Sequence, residues 1–256
     1  MILDKILAAT RKSVERQKAG RPLAELDCKA ASQRPPRDFA ASLKGQGIQL
    51  IAEIKRASPS KGPLAPNLDA PSLARTYEKA GASAISVLTE PEFFRGSLAD
   101  LEAVRAAVDL PILRKDFIVD PYQLWEARAA GADAVLLIAA ALPAGDLRRL
   151  IKATEQLAMT ALVEVHDRKE LEQALELDAP VIGINNRNLR DFSVSLETTL
   201  ELRPLIPGGK VVVSESGIHS RADVQRLRDA GVNAILVGEA LVTSPDPDGK
   251  IQELLA

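Results

Sequence analysis

The sequence predicts an α/β fold, a (β/α)8 TIM-type barrel with an N-terminal helical extension. Three observations favour it. Short apolar strands alternate with amphipathic helices along the chain. A segment of the form Ala-Gly-X-X-Ala, followed by apolar residues, recurs at Gly81, Gly131 and Gly231. The chain has 256 residues, close to the roughly 250 that one such barrel needs.

Each copy of this segment predicts a helix that ends at a left-handed glycine and is followed by a short strand. A fourth copy, at 177–184, has the same form without the glycine. Four more strands are predicted between the copies, at 50–55, 111–115, 160–165 and 210–215. The helices are predicted near 70–80, 98–108, 121–130, 144–157, 168–177, 196–203, 220–230 and the C-terminus.

The strands are apolar on both faces, which is typical of a parallel sheet covered by helices, and eight such units predict a closed barrel. A doubly wound open sheet is the alternative, but segment 53–62 lacks the Gly-rich turn that would follow its first strand. Residues 1–47 contain an amphipathic helix and a polar connector at 31–38. We expect one domain over 1–256, with 1–47 as an extension that caps the barrel.

Composition argues against several classes of function. A net charge of −2 and an aromatic content of 3% argue against binding to nucleic acid or to an anionic membrane. No apolar run reaches the roughly 18 residues of a membrane span. The single cysteine, Cys28, cannot form an internal disulfide, so we expect a reduced, cytoplasmic location. We assign Cys28 and Trp125 to packing.

Charged side chains follow the apolar part of several predicted strands. Glu53 and Lys55 share one face of the first strand, where they are costly to desolvate unless each is paired or used. Alternation directs the following polar residues into the barrel mouth: Glu53, Lys55, Lys115, Glu164, Asn185 and Glu215. Any one of them could belong to a structural ion pair. Their convergence at the end where such barrels carry active sites favours catalysis.

The seventh and eighth strands end in small residues instead. Segments 215–218 and 237–240 are predicted to lead into short helical turns, a pattern that favours a phosphate site built from backbone N–H groups. Arg187 is the nearest additional cation. Tight turns without a ligand remain the alternative.

Six segments carry a resemblance to a known family. They lie at 53–62, 88–97, 113–118, 162–166, 183–187 and 214–218. Together, and in this order, they resemble the indole-3-glycerol-phosphate synthase family, over about residues 45 to 245. The family's additional N-terminal helices match residues 1–47.

This resemblance implies an activity in tryptophan biosynthesis. The family converts 1-(o-carboxyphenylamino)-1-deoxyribulose 5-phosphate into indole-3-glycerol phosphate, CO₂ and water. It implies that neither a cofactor nor a metal is required. The implied ligand is the phosphorylated small-molecule substrate. The chain is expected to be a monomer or to associate weakly with another enzyme of the same pathway.

The resemblance also implies roles for the polar residues. Lys115 is the acid for ring closure. Glu164 and Glu53 handle protons in the dehydration, and Lys55 contacts the substrate carboxylate or serves as a second acid. Asn185 binds a hydroxyl, and Glu215 orients the lysines. Because three glutamates share the site, we expect at least one to be protonated in the complex. His166, two residues after Glu164, is assigned to a loop, with indirect support of Glu164 as the alternative.

Two groups of residues are implied to bind the rest of the substrate. The phosphate is implied to lie against Ser58, Arg187, Ser216, Gly217, Gly238 and the backbone N–H of Glu239. The aromatic ring is implied to lie among Phe94, Phe117, Leu136 and Leu189. The alternative function is a Schiff-base aldolase that uses Lys115 on a phosphorylated substrate. An isomerase of the same pathway would share the phosphate loops but would not need this set of lysines and glutamates. A binding barrel or an inactive relative would be favoured by a missing catalytic residue, and none is missing.

Overall fold

The computed structural model describes residues 2–189 and 191–256. Over these residues, eight parallel strands close into a barrel, with a two-stranded hairpin outside it. The strands are β1 (Gln49–Ile54), β2 (Ala57–Ser58), β3 (Gly62–Pro63), β4 (Ala84–Leu88), β5 (Ile112–Lys115), β6 (Ala134–Ile138), β7 (Thr160–Val165), β8 (Val181–Asn185), β9 (Val211–Glu215) and β10 (Ala234–Val237). The barrel runs in chain order from β1 through β4 to β10, and β10 pairs with β1.

Helices precede the first strand and then follow the later strands around the outside of the barrel. They are α1 (Ile2–Gly20), α2 (Leu23–Ser32), α3 (Phe39–Ser42), α4 (Ala70–Lys79), α5 (Leu98–Ala107), α6 (Tyr122–Ala129), α7 (Ala144–Gln156), α8 (Arg168–Glu176), α9 (Glu197–Leu202), α10 (Arg221–Asp229), α11 (Glu239–Val242) and α12 (Pro247–Leu255). The predicted barrel is confirmed, and the predicted element boundaries agree with these to within one residue except at the N-terminal segment. None of the helices among the described residues has the length and apolar content of a membrane span.

The predicted repeat is also confirmed in its backbone geometry. Gly81, Gly131 and Gly231 have φ values of 98°, 92° and 78°, the left-handed conformation in which a Cβ is unfavourable. In the copy without glycine, Asp178 takes this conformation, with a φ of 55°, which aspartate tolerates better than most residues. The same helix ending therefore leads into the strand in all four copies.

The N-terminal segment differs from the prediction. A second helix, α2, includes the first two residues of the predicted connector at 31–38. Its buried residues Leu26 and Ala30 form a small apolar cluster with Val14 of α1 and with Tyr122 and Ala129 of α6. This packing against the barrel supplies the burial that stabilises a helix of ten residues.

Residues 2–47 reach both ends of the barrel. Ile2, Leu3 and Ile6 of α1 line the cavity at the carboxyl ends of the strands. At the opposite end, the backbone N–H of Arg37 donates to Oδ1 of Asp133, at 2.8 Å, directly before β6. The segment therefore contributes both to the cavity at the carboxyl ends of the strands and to packing at the opposite end of the barrel.

The two packing assignments have different outcomes. Trp125 is partly buried against α2, and its Nε1 donates to Oδ1 of Asp27 at 3.1 Å, which confirms its packing role. The packing assignment of Cys28 is wrong, because its side chain is exposed. Leu26 and Ala30 occupy the inner face of α2, and Cys28 lies on the other face.

Candidate active site

All residues predicted for the site line a single cavity at the carboxyl ends of the barrel strands, with a volume of about 390 Å³. The lining includes Glu53, Lys55, Ser58, Phe94, Lys115, Phe117, Leu136, Glu164, Asn185, Arg187, Leu189, Glu215, Ser216, Gly217, Gly238 and Glu239. They come from strands on all sides of the barrel. Closure of the sheet therefore brings together side chains that are far apart in the sequence.

Lys115, the last residue of β5, lies between two carboxylates. Its Nζ is 3.2 Å from Oε2 of Glu164 and 3.5 Å from Oε2 of Glu215. Burial by itself would lower the pKa of Lys115, but the charges of Glu164, Glu215 and the more distant Glu53 outweigh burial and raise it. The ammonium group is therefore protonated at neutral pH and aimed into the cavity.

Glu164, on β7, is held as a carboxylate. Burial would raise its pKa, but Lys115, His166 and a hydrogen bond from Asn185 lower it well below the usual range. Asn185 is itself fixed, because its Oδ1 accepts the backbone N–H of Arg187 at 3.0 Å. Glu164 can therefore accept a proton but has none to donate.

Glu215, on β9, differs from Glu164 although both contact Lys115. Burial, reinforced by the charges of Glu164 and Glu53, outweighs the attraction of Lys115 and raises the pKa of Glu215 to about 8. Its Oε1 is buried and has no hydrogen-bond partner within the described residues. Two glutamates that face the same lysine thus have pKa values shifted in opposite directions.

A second ion pair joins the two polar residues of the first strand. Nζ of Lys55 is 2.8 Å from Oε1 of Glu53, and both side chains are largely buried. Glu53 packs directly over Gly238 of β10's carboxyl end, where a Cβ would clash with Oε1 of Glu53. Gly238 therefore makes room for a polar side chain of the site, in addition to the close approach of a ligand that the sequence suggested.

The predicted phosphate corner is built by two loops of unlike geometry. After β10, α11 begins at Glu239, as predicted. After β9, the predicted short helical turn is wrong: Ser216 and Gly217 are left-handed, with φ values of 69° and 77°, and α10 begins only at Arg221. The amide of Asn186 holds this turn through a 3.0 Å hydrogen bond to the carbonyl of Ser216.

Positive charge surrounds Glu239 in this corner. Its carboxylate forms an ion pair with Lys61 of the β2–β3 hairpin. Burial would raise the pKa of Glu239, but Lys61, Lys55 and Arg187 lower it. The cations of the corner therefore already compensate one negative charge.

Aromatic residues form one wall of the cavity. The ring centroids of Phe94 and Phe117 are 6.0 Å apart in a tilted arrangement. The loop that carries Phe94 is ordered by Glu90, which accepts three backbone N–H groups, including that of Phe94 at 3.0 Å. Leu136 and Leu189 lie on the same cavity.

Sequence reasoning missed several contributors. His166 lies in the bend directly after β7, but its side chain is largely buried and its Nε2 is 3.2 Å from Oε1 of Glu164, which favours the alternative of indirect support for Glu164 over a loop role alone. No local pattern indicates Lys61, because its partner, Glu239, is distant in the sequence. The side chains of Glu90 and Asn186 form hydrogen bonds with backbone groups of other residues, and no side-chain pattern in the sequence indicates such contacts.

Comparison with known proteins points to one family. The family model described as Indole-3-glycerol phosphate synthase matches residues 3–254. A protein of that name from Roseiflexus sp. (strain RS-1) is 53% identical, over 99% of this chain and 97% of the relative. One from Dehalococcoides mccartyi (strain ATCC BAA-2100 / JCM 16839 / KCTC 5957 / BAV1) is 51% identical over the full length of both.

Solved structures of low identity share the fold alone. A 3-hexulose-6-phosphate synthase from Salmonella typhimurium has a TM-score of 0.66 and 15% identity, covering 81% of this chain and 96% of that chain. A chain of the tryptophan synthase α₂β₂ complex from Pyrococcus furiosus has a TM-score of 0.60 and 15% identity, covering 81% and 97%. Both confirm the barrel.

Proposed function

Because the chain belongs to the indole-3-glycerol phosphate synthase family, we propose how its cavity closes the pyrrole ring of indole. The activity is that of a carboxy-lyase of tryptophan biosynthesis, which converts 1-(o-carboxyphenylamino)-1-deoxyribulose 5-phosphate into indole-3-glycerol phosphate, CO₂ and water. The observation that carries the assignment of roles is the position of Lys115 between Glu164 and Glu215.

Ring closure needs an acid at the ketone oxygen. The aromatic carbon that bears the carboxylate attacks the ketone carbon, a carbon–carbon bond forms, and Lys115 gives its proton to the oxygen, which becomes a hydroxyl. The raised pKa of Lys115 keeps this proton available in the free protein. Glu215 orients the ammonium group from the other side.

Decarboxylation and dehydration complete the reaction. Loss of CO₂ leaves its bonding electrons on the ring and restores the aromatic system. Glu164 then removes a proton from the carbon beside the ring nitrogen while the hydroxyl takes a proton and leaves as water, which forms the second double bond of the pyrrole. The ion-paired Lys55 and Glu53 are at hand to supply that proton or to hold the carboxylate before it is lost.

The phosphate is proposed to bind at the corner formed by the ends of β9 and β10. Ser58 supports this site, since its Oγ is buried without a hydrogen-bond partner among the described residues and lies on the cavity. Ser216, Gly217, Gly238 and the backbone of Glu239 form the other side, with Arg187 as a cation. The ion pair with Lys61 offsets the charge of the Glu239 side chain, so its carboxylate need not repel the phosphate.

The aromatic ring of the substrate is proposed to lie against Phe94 and Phe117, with Leu136 and Leu189 beside it. The aldolase alternative is disfavoured by the same charge arrangement. A Schiff base requires a neutral amine, whereas the surrounding carboxylates raise the pKa of Lys115. Borohydride with a phosphorylated carbonyl substrate should therefore leave Lys115 unmodified.

We also propose that the chain acts as a single unit in the cytoplasm, as a monomer or in weak association with another enzyme of the tryptophan pathway. The net charge of −2 supports the absence of a nucleic-acid or membrane partner. Sedimentation of the chain with and without the pathway enzymes tests this proposal.

Turnover is the direct test of the function. The purified protein, in EDTA, is given 1-(o-carboxyphenylamino)-1-deoxyribulose 5-phosphate, and indole fluorescence is followed. Emission that grows with enzyme concentration supports the reaction and its independence of metal. A protein that circular dichroism shows to be folded, but that produces no emission, would overturn the proposal.

A further inference from the structure

His166 follows β7 directly, and both nitrogens of its ring face carboxylates. Nε2 is 3.2 Å from Oε1 of Glu164, and Nδ1 is 3.0 Å from Oε2 of Glu170, a residue of α8. Only 12% of the His166 side chain is exposed. The imidazole therefore bridges a carboxylate of the catalytic cavity and a carboxylate outside it.

This geometry requires the charged form of the ring. A neutral imidazole has one N–H donor and one lone pair, so it would direct a lone pair at one of the two carboxylates. The N-terminus of α8, which begins at Arg168, disfavours a nearby cation. Burial also lowers the pKa of His166, but Glu164 and Glu170 outweigh burial and raise it to about 10.

Glu170 fixes the outer side of the bridge. Its Oε2 accepts both the backbone N–H of His166, at 2.8 Å, and the contact from Nδ1. On the inner side, each oxygen of Glu164 faces a different cation: Oε1 faces His166 and Oε2 faces Lys115. Two cations on two elements thus set both the charge and the direction of the Glu164 carboxylate.

We propose that His166, held by Glu170, is a positioning residue that keeps Glu164 ionised and aimed at the substrate for proton removal during dehydration. This inference rests on the proposed function of Glu164. The Nε2 contact is short, but it is not aligned as a hydrogen bond in the free protein. A small rotation of the ring when substrate binds would align it, as catalytic hydrogen bonds often tighten on binding.

The first experiment is the pH dependence of kcat/KM for His166→Asn. Without the imidazolium, the pKa of Glu164 rises from far below its usual range, so an acidic limb that lies at very low pH in the wild type should appear at higher pH in the variant. A purely structural role would lower activity by the same factor at every pH. An unchanged acidic limb would therefore overturn the proposal.

Glu170→Gln tests the outer half of the bridge without touching the cavity. It should move the basic limb of the profile to lower pH, because His166 loses its proton more easily once one of the two carboxylates that keep it charged is neutralised. Glu172→Gln is the matched control: it lies on the same helix, is exposed, and pairs with Arg168 at 3.0 Å. The control should reproduce the wild-type profile, and an equal shift in both variants would count against the bridge.

The second experiment needs no substrate. The chain has two histidines, so imidazole ring signals in a ¹⁵N-labelled sample can be assigned by their loss in His166→Asn. The His166 ring should keep the imidazolium signature up to about pH 9 in the wild type and lose it at lower pH in Glu170→Gln. A ring that titrates near its ordinary pKa in the wild type would overturn the proposal.

These experiments separate the two levels of inference. If the wild-type protein makes no indole product, the proposed function fails, and the ring titration still decides whether the bridge exists. If the wild type is active but His166→Asn loses activity uniformly with pH, the positioning role fails and the synthase function stands.

Discussion

The carboxylate of Glu215 occupies the space that a side chain at position 183 would need. A Cβ added to Gly183 would clash with Oε1 of Glu215 and with Cδ2 of Leu162. Gly183 has no left-handed φ that would require glycine. The absence of a side chain on β8 therefore serves to seat a glutamate from the next strand.

This contact predicts the effect of Gly183→Ala. The added methyl group should push Glu215 away from Lys115 and lower kcat by about 100-fold, since misplacement by about 1 Å can cost that much. Overpacking should also lower the free energy of unfolding by roughly 1–3 kcal/mol. Gly145→Ala on α7, where an added Cβ meets no atom within 4 Å, is the control and should retain activity. Steady-state kinetics and urea denaturation measure both effects, and normal kcat in Gly183→Ala would contradict the role of this contact.

Lys115→Met removes the proposed acid while it keeps the length and packing of the side chain. Loss of a positioned general acid should lower kcat by about 100- to 10,000-fold. Thermal unfolding should remain cooperative, because Lys115 lies at the functional end of the barrel. Lys152→Met on the exposed face of α7 is the matched control. Comparable turnover in the two variants would assign the ring-closing proton to another group.

The pKa of Glu215 predicts how stability depends on pH. Its pKa is about 8 in the folded protein against an ordinary value of 4.5. As pH rises through this interval, the unfolded chain loses the proton before the folded protein does, so stability falls. Glu215→Gln lacks this titration. Its free energy of unfolding relative to wild type should therefore increase between about pH 5 and pH 9, by about 1.4 kcal/mol for each unit of pKa difference. Urea denaturation across this range measures the difference, and parallel curves for the two proteins would contradict the prediction.

Arg187→Ala tests the phosphate corner. Hydrogen bonds to charged groups contribute about 1.5–3 kcal/mol, so the KM for the phosphorylated substrate should rise by roughly 10- to 100-fold. Inhibition by inorganic phosphate should weaken in parallel, whereas kcat should change less. Arg148→Ala, exposed on α7, controls for loss of surface charge. If Arg187→Ala left both KM and phosphate inhibition unchanged, Arg187 would not contact the phosphate.

Much of the fold was predictable from local patterns. The helix ending at Gly81, Gly131 and Gly231 depends on backbone conformation within a few residues, so the repeat is visible in the sequence. Helix α2 was not predictable, because Leu26 and Ala30 gain their burial only from Tyr122 and Ala129 of a distant helix. Local helix propensity does not depend on packing against a distant helix, so it cannot predict this burial.

For the site, the sequence by itself determined which side chains stand at the carboxyl ends of the strands, because alternation and strand ends are local properties. Only the tertiary structure decided the pKa values of these side chains. Glu164 and Glu215 are both glutamates that lie close to Nζ of Lys115, yet the pKa of Glu164 is lowered and that of Glu215 is raised. His166 and Asn185 favour the charge of Glu164, and neither acts on Glu215 in this way. A protonation state depends on burial and on charges within a few ångströms, and barrel closure draws those charges from separate strands.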